Sequence, residues 1–234
     1  MISKPLIFRM NFARNNLGKN VSSAAPGNTT MARFHAEGLS LYSPKGGRKY
    51  LNGDERTRVL ASMETLAVDK ALFALTLAWT GARVTEVLAL SAAAFQIERG
   101  VVAICTLKRR VHKVREIPIP PSLMAALDRQ FDLTAVQRDP DQCAQRLWPF
   151  CRVTAWRLIK HIMQRADIVG CSACPRGLRH AFGIGTLRAG VPLNLVQRWL
   201  GHARITSTAV YTEACGPEEI AFAAQFWQSD GKAL

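Results

Sequence analysis

Acidic residues are scarce in this chain, and so are tyrosines, long apolar runs and ordered cysteine spacings. Its 234 residues carry 31 Lys+Arg against 17 Asp+Glu, a formal net charge of +14. That imbalance points to a polyanionic partner, with nucleic acid the first candidate. No apolar run approaches the roughly 20 residues that cross a bilayer. No single basic amphipathic helix concentrates the charge for a membrane surface. Lys4 and Arg9 flank a short apolar stretch, but no core of signal-peptide length follows it. The expectation is a soluble, cytoplasmic protein with no membrane partner. The six cysteines, Cys105, Cys143, Cys151, Cys171, Cys174 and Cys215, show no disulfide framework. Cys171 and Cys174 form a C-x-x-C near His161. One such pair lacks the second pair that a structural zinc site uses, so reduced thiols are expected ahead of a metal. The carboxylates form no cluster suited to a divalent ion, and there are no internal repeats.

What is present is helical periodicity interrupted by one short change of period. Residues 1–50 read as a flexible basic N-terminal arm. They contain Lys4, Arg9, Arg14, Lys19, Arg33, Lys45, Arg48 and Lys49 against Glu37 alone. Such an arm is either a solvated tail or a strap on DNA phosphates. Asn52 and Asp54 offer capping oxygens to a first helix. Val68, Leu72, Leu75 and Trp79 recur at helical spacing up to a break at Gly81, and Val84 to Leu90 begin another helix. Ile97, Val102, Ile104 and "REIPI" predict short antiparallel strands, with turns at Glu98–Gly100 and around Arg109–His112. Pro118, Pro120 and Pro121 end the sheet, and a helix runs over Leu123–Phe131. "RDPDQ" reads as a loop. Further helices are expected over Val153–Ala166, Gly177–Ala189, Leu193–Leu200 and Ile205–Val210. A last amphipathic helix opens at Pro217 and carries Ile220, Ala223 and Trp227 on one face. The predicted class is α+β, mainly helical, with a small antiparallel sheet; residues 51–234 form one domain.

Three stretches draw the chemistry together: "TGARVTEVLAL" (80–90), "RGLRHAFGIGTLRAG" (176–190) and "LGHARITSTAVY" (200–211). In order and spacing they resemble the boxes of the tyrosine recombinase, or phage integrase, family, and "REIPIP" falls where that family has a β-hairpin. The likeness covers about residues 50–228. It implies breakage and rejoining of double-stranded DNA through a covalent 3′-phosphotyrosine, with no cofactor and no divalent metal. Tyr211 matches the nucleophile, Arg83 and Arg179 match the two phosphate-binding arginines, and His202 matches the histidine that hydrogen-bonds to the phosphate. Lys108 is the best match to the general acid of the hairpin, which it shares with Arg109, Arg110 and Lys113. The residue types suit the reaction. Guanidinium forks fit the nonbridging oxygens of a five-coordinate phosphorus and stay charged at every working pH. Glu86, one turn after Arg83, is read as its structural partner, and His180 as a structural histidine. Tyr42 and Tyr50 lie in or beside the arm, without such surroundings.

Two departures stand out. Where the family has His-x-x-Arg, with the histidine as general base by resemblance, this chain has Arg176-Gly177-Leu178-Arg179. That predicts a three-arginine phosphate clamp including Arg176, with the Tyr211 proton passing to water or to the phosphate itself. Residues 1–50 are also too few for the separate core-binding domain of most members, so the likeness is to a short form. By resemblance, the active complex would be a homo-tetramer on DNA. Each C-terminal helix would dock on a neighbour, the free protein would be a monomer or dimer, and accessory proteins are conceivable. Three alternatives remain at this level. The first is a non-cutting DNA-binding regulator or accessory protein on the same fold. The second is a relaxing topoisomerase of type IB chemistry. The third concerns "VQRWLGHARITSTAVY" alone, which also imitates a helix-turn-helix.

Overall fold

The computed structural model describes residues 40–106 and 113–213. Lys108, the stretch before residue 40, and Cys215 with the helix expected from Pro217 lie outside these described residues. The order of elements is α1 (Gly53–Glu64), α2 (Val68–Thr80), α3 (Val84–Val87), β1 (Phe95–Gln96), β2 (Val101–Thr106) and β3 (Lys113–Pro118). There follow α4 (Pro121–Phe131), α5 (Leu133–Val136), α6 (Pro140–Cys143), α7 (Arg152–Arg165), α8 (Pro175–Arg188), α9 (Leu193–Leu200) and α10 (Thr206–Ala209). A 3-10 turn, Val210–Glu213, continues directly from α10. The mainly helical class with one antiparallel sheet is therefore observed.

Local chemistry explains most element ends. Asn52 caps α1: its side chain accepts from the Glu55 N–H at 2.8 Å, and the Glu55 carboxylate accepts from the Asn52 N–H at 2.8 Å. Helix α2 is apolar on nearly every side, because α1, α4 and α8 all pack on it. Its two buried threonines satisfy their hydroxyls within the helix, on Leu72 O at 2.7 Å and Thr76 O at 2.6 Å. Gly81 then adopts a left-handed φ of +60°. A side chain there would be strained and would also strike the Phe182 ring, so glycine is required. The chain turns sharply at this point and delivers Arg83 to the start of α3.

The sheet has the order β1-β2-β3, antiparallel throughout. Val102 faces Ile117, Ile104 faces Arg115 and Thr106 faces Lys113. Because side chains alternate along a strand, Val102, Ile104, Thr106, Arg115 and Ile117 turn inward and are buried. An arginine thus occupies a core-facing register position. The main core gathers around Phe73, Ile104, Leu127, Trp148 and Ile159. A second cluster joins Leu41, Phe182, Ile184, Val196, Leu200 and Tyr211.

Several expectations need correction. Residues 40–50 are not a free arm: Leu41 is 1% exposed in the second cluster, and Ser43–Gly47 close a turn by backbone hydrogen bonds. The apolar anchor outweighs the polar composition around it. "RDPDQ" contains helix α6, since Asp139 caps it through the N–H groups of Asp141 and Gln142, and Pro140 stands at its first position. Pro121 likewise opens α4 rather than merely closing the sheet. The helix-turn-helix alternative fails on length, because α10 has only four residues before the 3-10 turn.

Glu86 and Arg115, with side chains 1% and 2% exposed, form a 2.6 Å ion pair between α3 and β3. Removing one partner of a buried pair leaves an uncompensated charge. Glu86→Gln is therefore expected to lower unfolding stability by about 3–5 kcal/mol, read as a reduced urea midpoint with an unchanged slope.

Candidate active site

The site is assembled from four separate stretches of chain. Arg83 enters from the start of α3, where its N–H donates to Glu86 Oε2 at 2.9 Å and its guanidinium donates to Glu86 Oε1 at 2.8 Å. Glu86 is therefore the structural partner of Arg83, as its spacing indicates, but it also holds Arg115. The Arg115 guanidinium donates to Glu86 Oε2 at 2.6 Å, to Thr106 Oγ1 at 2.9 Å and to the Trp199 carbonyl at 2.7 Å. One buried arginine thus ties α3, the hairpin and the end of α9 together. Burial resists ionisation of Glu86, yet the charge of Arg115, the Arg83 N–H and the charge of Arg83 together hold its carboxyl below the usual carboxylate range.

Arg179 reaches in from α8. It is buried and donates to the carbonyls of Gly81 and Leu200, both at 2.7 Å. These two acceptors are the ends of α2 and α9, where helices leave carbonyls without intrahelical partners. A guanidinium has five N–H donors, so the fork keeps donors for a phosphate. Burial, reinforced by the charge of Arg83, brings its pKa down to about 10, still cationic at neutral pH.

Gly201 ends α9 and turns His202 inward, with His202 Nδ1 and Thr208 Oγ1 2.9 Å apart. The His202 ring stacks on Tyr211, with centroids 6.1 Å apart and planes at 26°. Tyr211 sits on the 3-10 turn after α10 and is 4% exposed. It lies so close to α8 that a Cβ at Gly183 would come within 2.6 Å of its ring, so only glycine fits there. Its hydroxyl is 3.2 Å from His180 Nδ1. Burial raises the Tyr211 pKa, while the charges of Arg179 and Arg83 pull it down. Burial and then Arg179 lower both histidines, His180 to about 4 and His202 to about 3, so both rings are neutral at pH 7. Beside them lies a groove of about 230 Å³ between the hairpin and α9, bordered by Lys113, Arg198 and His202. This is a concave, cationic surface that shares His202 with the phenol's surroundings, an arrangement suited to a phosphodiester.

Of the residues singled out from sequence, Arg83, Arg179, His202 and Tyr211 come together here. Lys108 is outside the described residues. Arg176 stands exposed on the first turn of α8 and makes no hydrogen bond or ion pair among the described residues. Its charge acts on His180 and is absent from those acting on Tyr211. In this arrangement Arg176 lies apart from the Arg83 and Arg179 pair that acts on the phenol. Two residues of the site went unrecognised in the sequence. Arg115 was signalled by strand alternation, two residues before buried Ile117. His180 was signalled by Gly183 one turn on, which opens the space that Tyr211 fills.

The sequence profile of the phage integrase family matches residues 49–215. The chain belongs to that family. A tyrosine recombinase XerD from Haemophilus influenzae is 33% identical over 62% of this chain and 49% of its own length. A tyrosine recombinase XerA from Pyrococcus furiosus is 30% identical over 77% of this chain and 65% of its own length. The chain spans about half the length of the curated XerD relatives. A crystal structure of XerA recombinase superposes with a TM-score of 0.63 at 25% identity, covering 76% of this chain and 64% of that one. The catalytic domain of bacteriophage HP1 integrase gives 0.54 at 21% identity, covering 76% of this chain and 94% of that domain. No described helix is long and apolar enough to cross a membrane.

The two neutral histidines set a pH dependence of stability. Their folded pKa values lie below the ordinary value of about 6.5, so the unfolded chain binds more protons as pH falls. Their contribution is fully present above about pH 6.5 and is lost as pH drops toward the folded values of about 4 and 3. The urea midpoint should therefore fall from pH 7 to pH 5. His202→Asn should flatten that slope, and an unchanged slope would mean that folding does not lower the His202 pKa.

Proposed function

We propose that this phage integrase family member is a site-specific tyrosine recombinase that cuts and rejoins double-stranded DNA through a 3′-phosphotyrosine. The observation that carries this reading is the convergence of Tyr211 with Arg179, Arg83 and His202 from segments far apart in sequence. In the cleavage step Tyr211 Oη attacks the phosphorus while the bond to the 5′ oxygen breaks, so the bond energy is kept in the phosphotyrosine for rejoining. Arg83 and Arg179 hold the nonbridging oxygens as negative charge builds on them. Neutral His202 donates a hydrogen bond to the same phosphate, and Lys108 supplies the proton to the leaving oxygen. No step calls for a metal or an organic cofactor.

The partner follows from the same chemistry. The chain's net charge of +14 suits the phosphate backbone. Solved relatives include XerH bound to its difH substrate and the Tn1549 transposon integrase with circular intermediate DNA, at 19% and 18% identity. Assembly into a tetramer on DNA, through the segment after residue 213, belongs to this proposal. A second reading, a DNA-binding protein that does not cut, draws on one observation: Tyr211 is buried, with its hydroxyl engaged by His180.

Nicked suicide duplexes tiled across the DNA flanking the gene separate the two. The recombinase reading expects a detergent-stable protein–DNA adduct with at least one duplex. Tyr211→Phe should bind that duplex with nearly the parental affinity and give no adduct. An adduct persisting in Tyr211→Phe removes Tyr211 from the chemistry. Tight binding without an adduct from the parental protein establishes the non-cutting reading.

A further inference from the structure

The reaction requires the Tyr211 proton to leave as Oη bonds to phosphorus, and the position that resemblance assigns to this task cannot perform it. Residue 176 is an arginine, whose pKa above roughly 12 keeps it protonated and without an acceptor. It is also exposed, with no hydrogen bond or ion pair among the described residues.

The other groups near the phenol are committed elsewhere. Glu86 is held by both Arg83 and Arg115. His202 lies near-parallel to the Tyr211 ring, with centroids 6.1 Å apart and no hydrogen bond to its hydroxyl among the described residues, and its Nδ1 is paired with Thr208 Oγ1 at 2.9 Å. His180 alone among the described residues meets the hydroxyl, with Nδ1 at 3.2 Å and the two rings edge to face at 5.7 Å and 61°. It lies one helical turn after Arg176 on α8, so the two side chains share a face of the helix. Gly183, on the next turn, lets the Tyr211 ring close against the helix and bring its oxygen to that nitrogen.

We propose that His180 is a catalytic residue whose Nδ1 accepts the Tyr211 proton during strand cleavage, taking the role that residue 176 cannot fill. This rests on the recombinase reading above. The step balances: the Oη–P bond forms, the P–O5′ bond breaks, and the phenol proton moves to Nδ1 to give an imidazolium. A separate acid protonates the departing oxygen. Rejoining runs each transfer backwards, with the imidazolium returning its proton to Tyr211.

The surroundings of His180 fit this task. The groups acting on it are Arg179 and Arg176 from its own helix, Lys49 from the turn at residues 40–50, and Tyr211 and His202 from the chain after α9. Burial and the three cations keep the ring neutral in the free protein, so one ring nitrogen carries a lone pair, which the proposal places at Nδ1. An arriving phosphodiester brings negative charge that offsets Arg179 and Arg176. The basicity of His180 therefore rises when DNA is in place.

The test compares the parental protein with His180→Asn in single-turnover cleavage of the nicked suicide duplex, from about pH 5 to pH 9, a range spanning the ordinary histidine pKa. Asn holds an amide near the Nδ1 position, so a hydrogen bond survives while proton acceptance is lost. The expected result is DNA binding within about twofold and cleavage slower on the order of 10²-fold. The acid limb of the parental profile should also disappear. Cleavage within threefold of parental overturns the proposal, and so does slow cleavage that retains the acid limb, which marks a structural role. Nitrogen NMR of the histidine-labelled parental protein tests the same point without a substitution. A pyridine-type Nδ1 on His180 supports the proposal, and a protonated Nδ1 overturns it. Failure of the recombinase reading itself is seen separately, as absence of any adduct from the parental protein.

Discussion

Glu86 is the one fully buried carboxylate of the described site, and three parts of the chain depend on it. It fixes Arg83 through both the backbone and the guanidinium, and it neutralises Arg115 in the interior. Arg115 in turn reaches the Trp199 carbonyl at the end of α9, next to the turn that presents His202. An arginine on an inward-facing strand position would be costly without this anion. With it, the hairpin, α3 and α9 are locked in one relative placement. The site's first arginine is thus positioned by the same carboxylate that makes the second arginine tolerable in the core.

The electrostatic consequence is a local excess of positive charge. Among the described residues, Glu86 is the carboxylate that compensates Arg83, Arg115 and Arg179 inside the site. Burial first, and this charge second, keep the two histidines neutral and lower the pKa of Arg179. On the proposed function, a phosphodiester relieves this imbalance by binding Arg83 and Arg179, while Glu86 stays held by Arg83 and Arg115. Preorganisation of this kind lets the arginines meet the developing charge without rearrangement.

How much of this was legible in the sequence depends on whether the signal was local. Helices α2 and α9 were readable because each ends at a glycine that no other residue could replace without strain or crowding. The strands were readable from their change of period, and Arg83, Arg179, His202 and Tyr211 from their boxes. The contributions of Arg115 and His180 were not, because each depends on a partner brought by folding. Arg115 meets Glu86 across 29 positions, and His180 meets Tyr211 across 31. Local composition misled at residues 40–50, where one buried leucine outweighs its polar neighbours, and at α6, where a proline reads as a breaker although it starts a helix.

Burial of Tyr211 acts on the chemistry in two opposing directions. Desolvation holds the phenol protonated, so the free protein carries no ready nucleophile to attack adventitious electrophiles. In the proposed reaction the same burial makes ionisation before DNA arrives costly, so proton loss accompanies bonding to phosphorus. As Oη–P bonding advances, the phenolic oxygen loses electron density and its proton becomes acidic, while the phosphate charge makes a neighbouring neutral base stronger. A group already hydrogen-bonded to the hydroxyl meets both changes at once. On the proposed function, the cation-rich, anion-poor site therefore couples arrival of the phosphate to the moment at which Tyr211 gives up its proton.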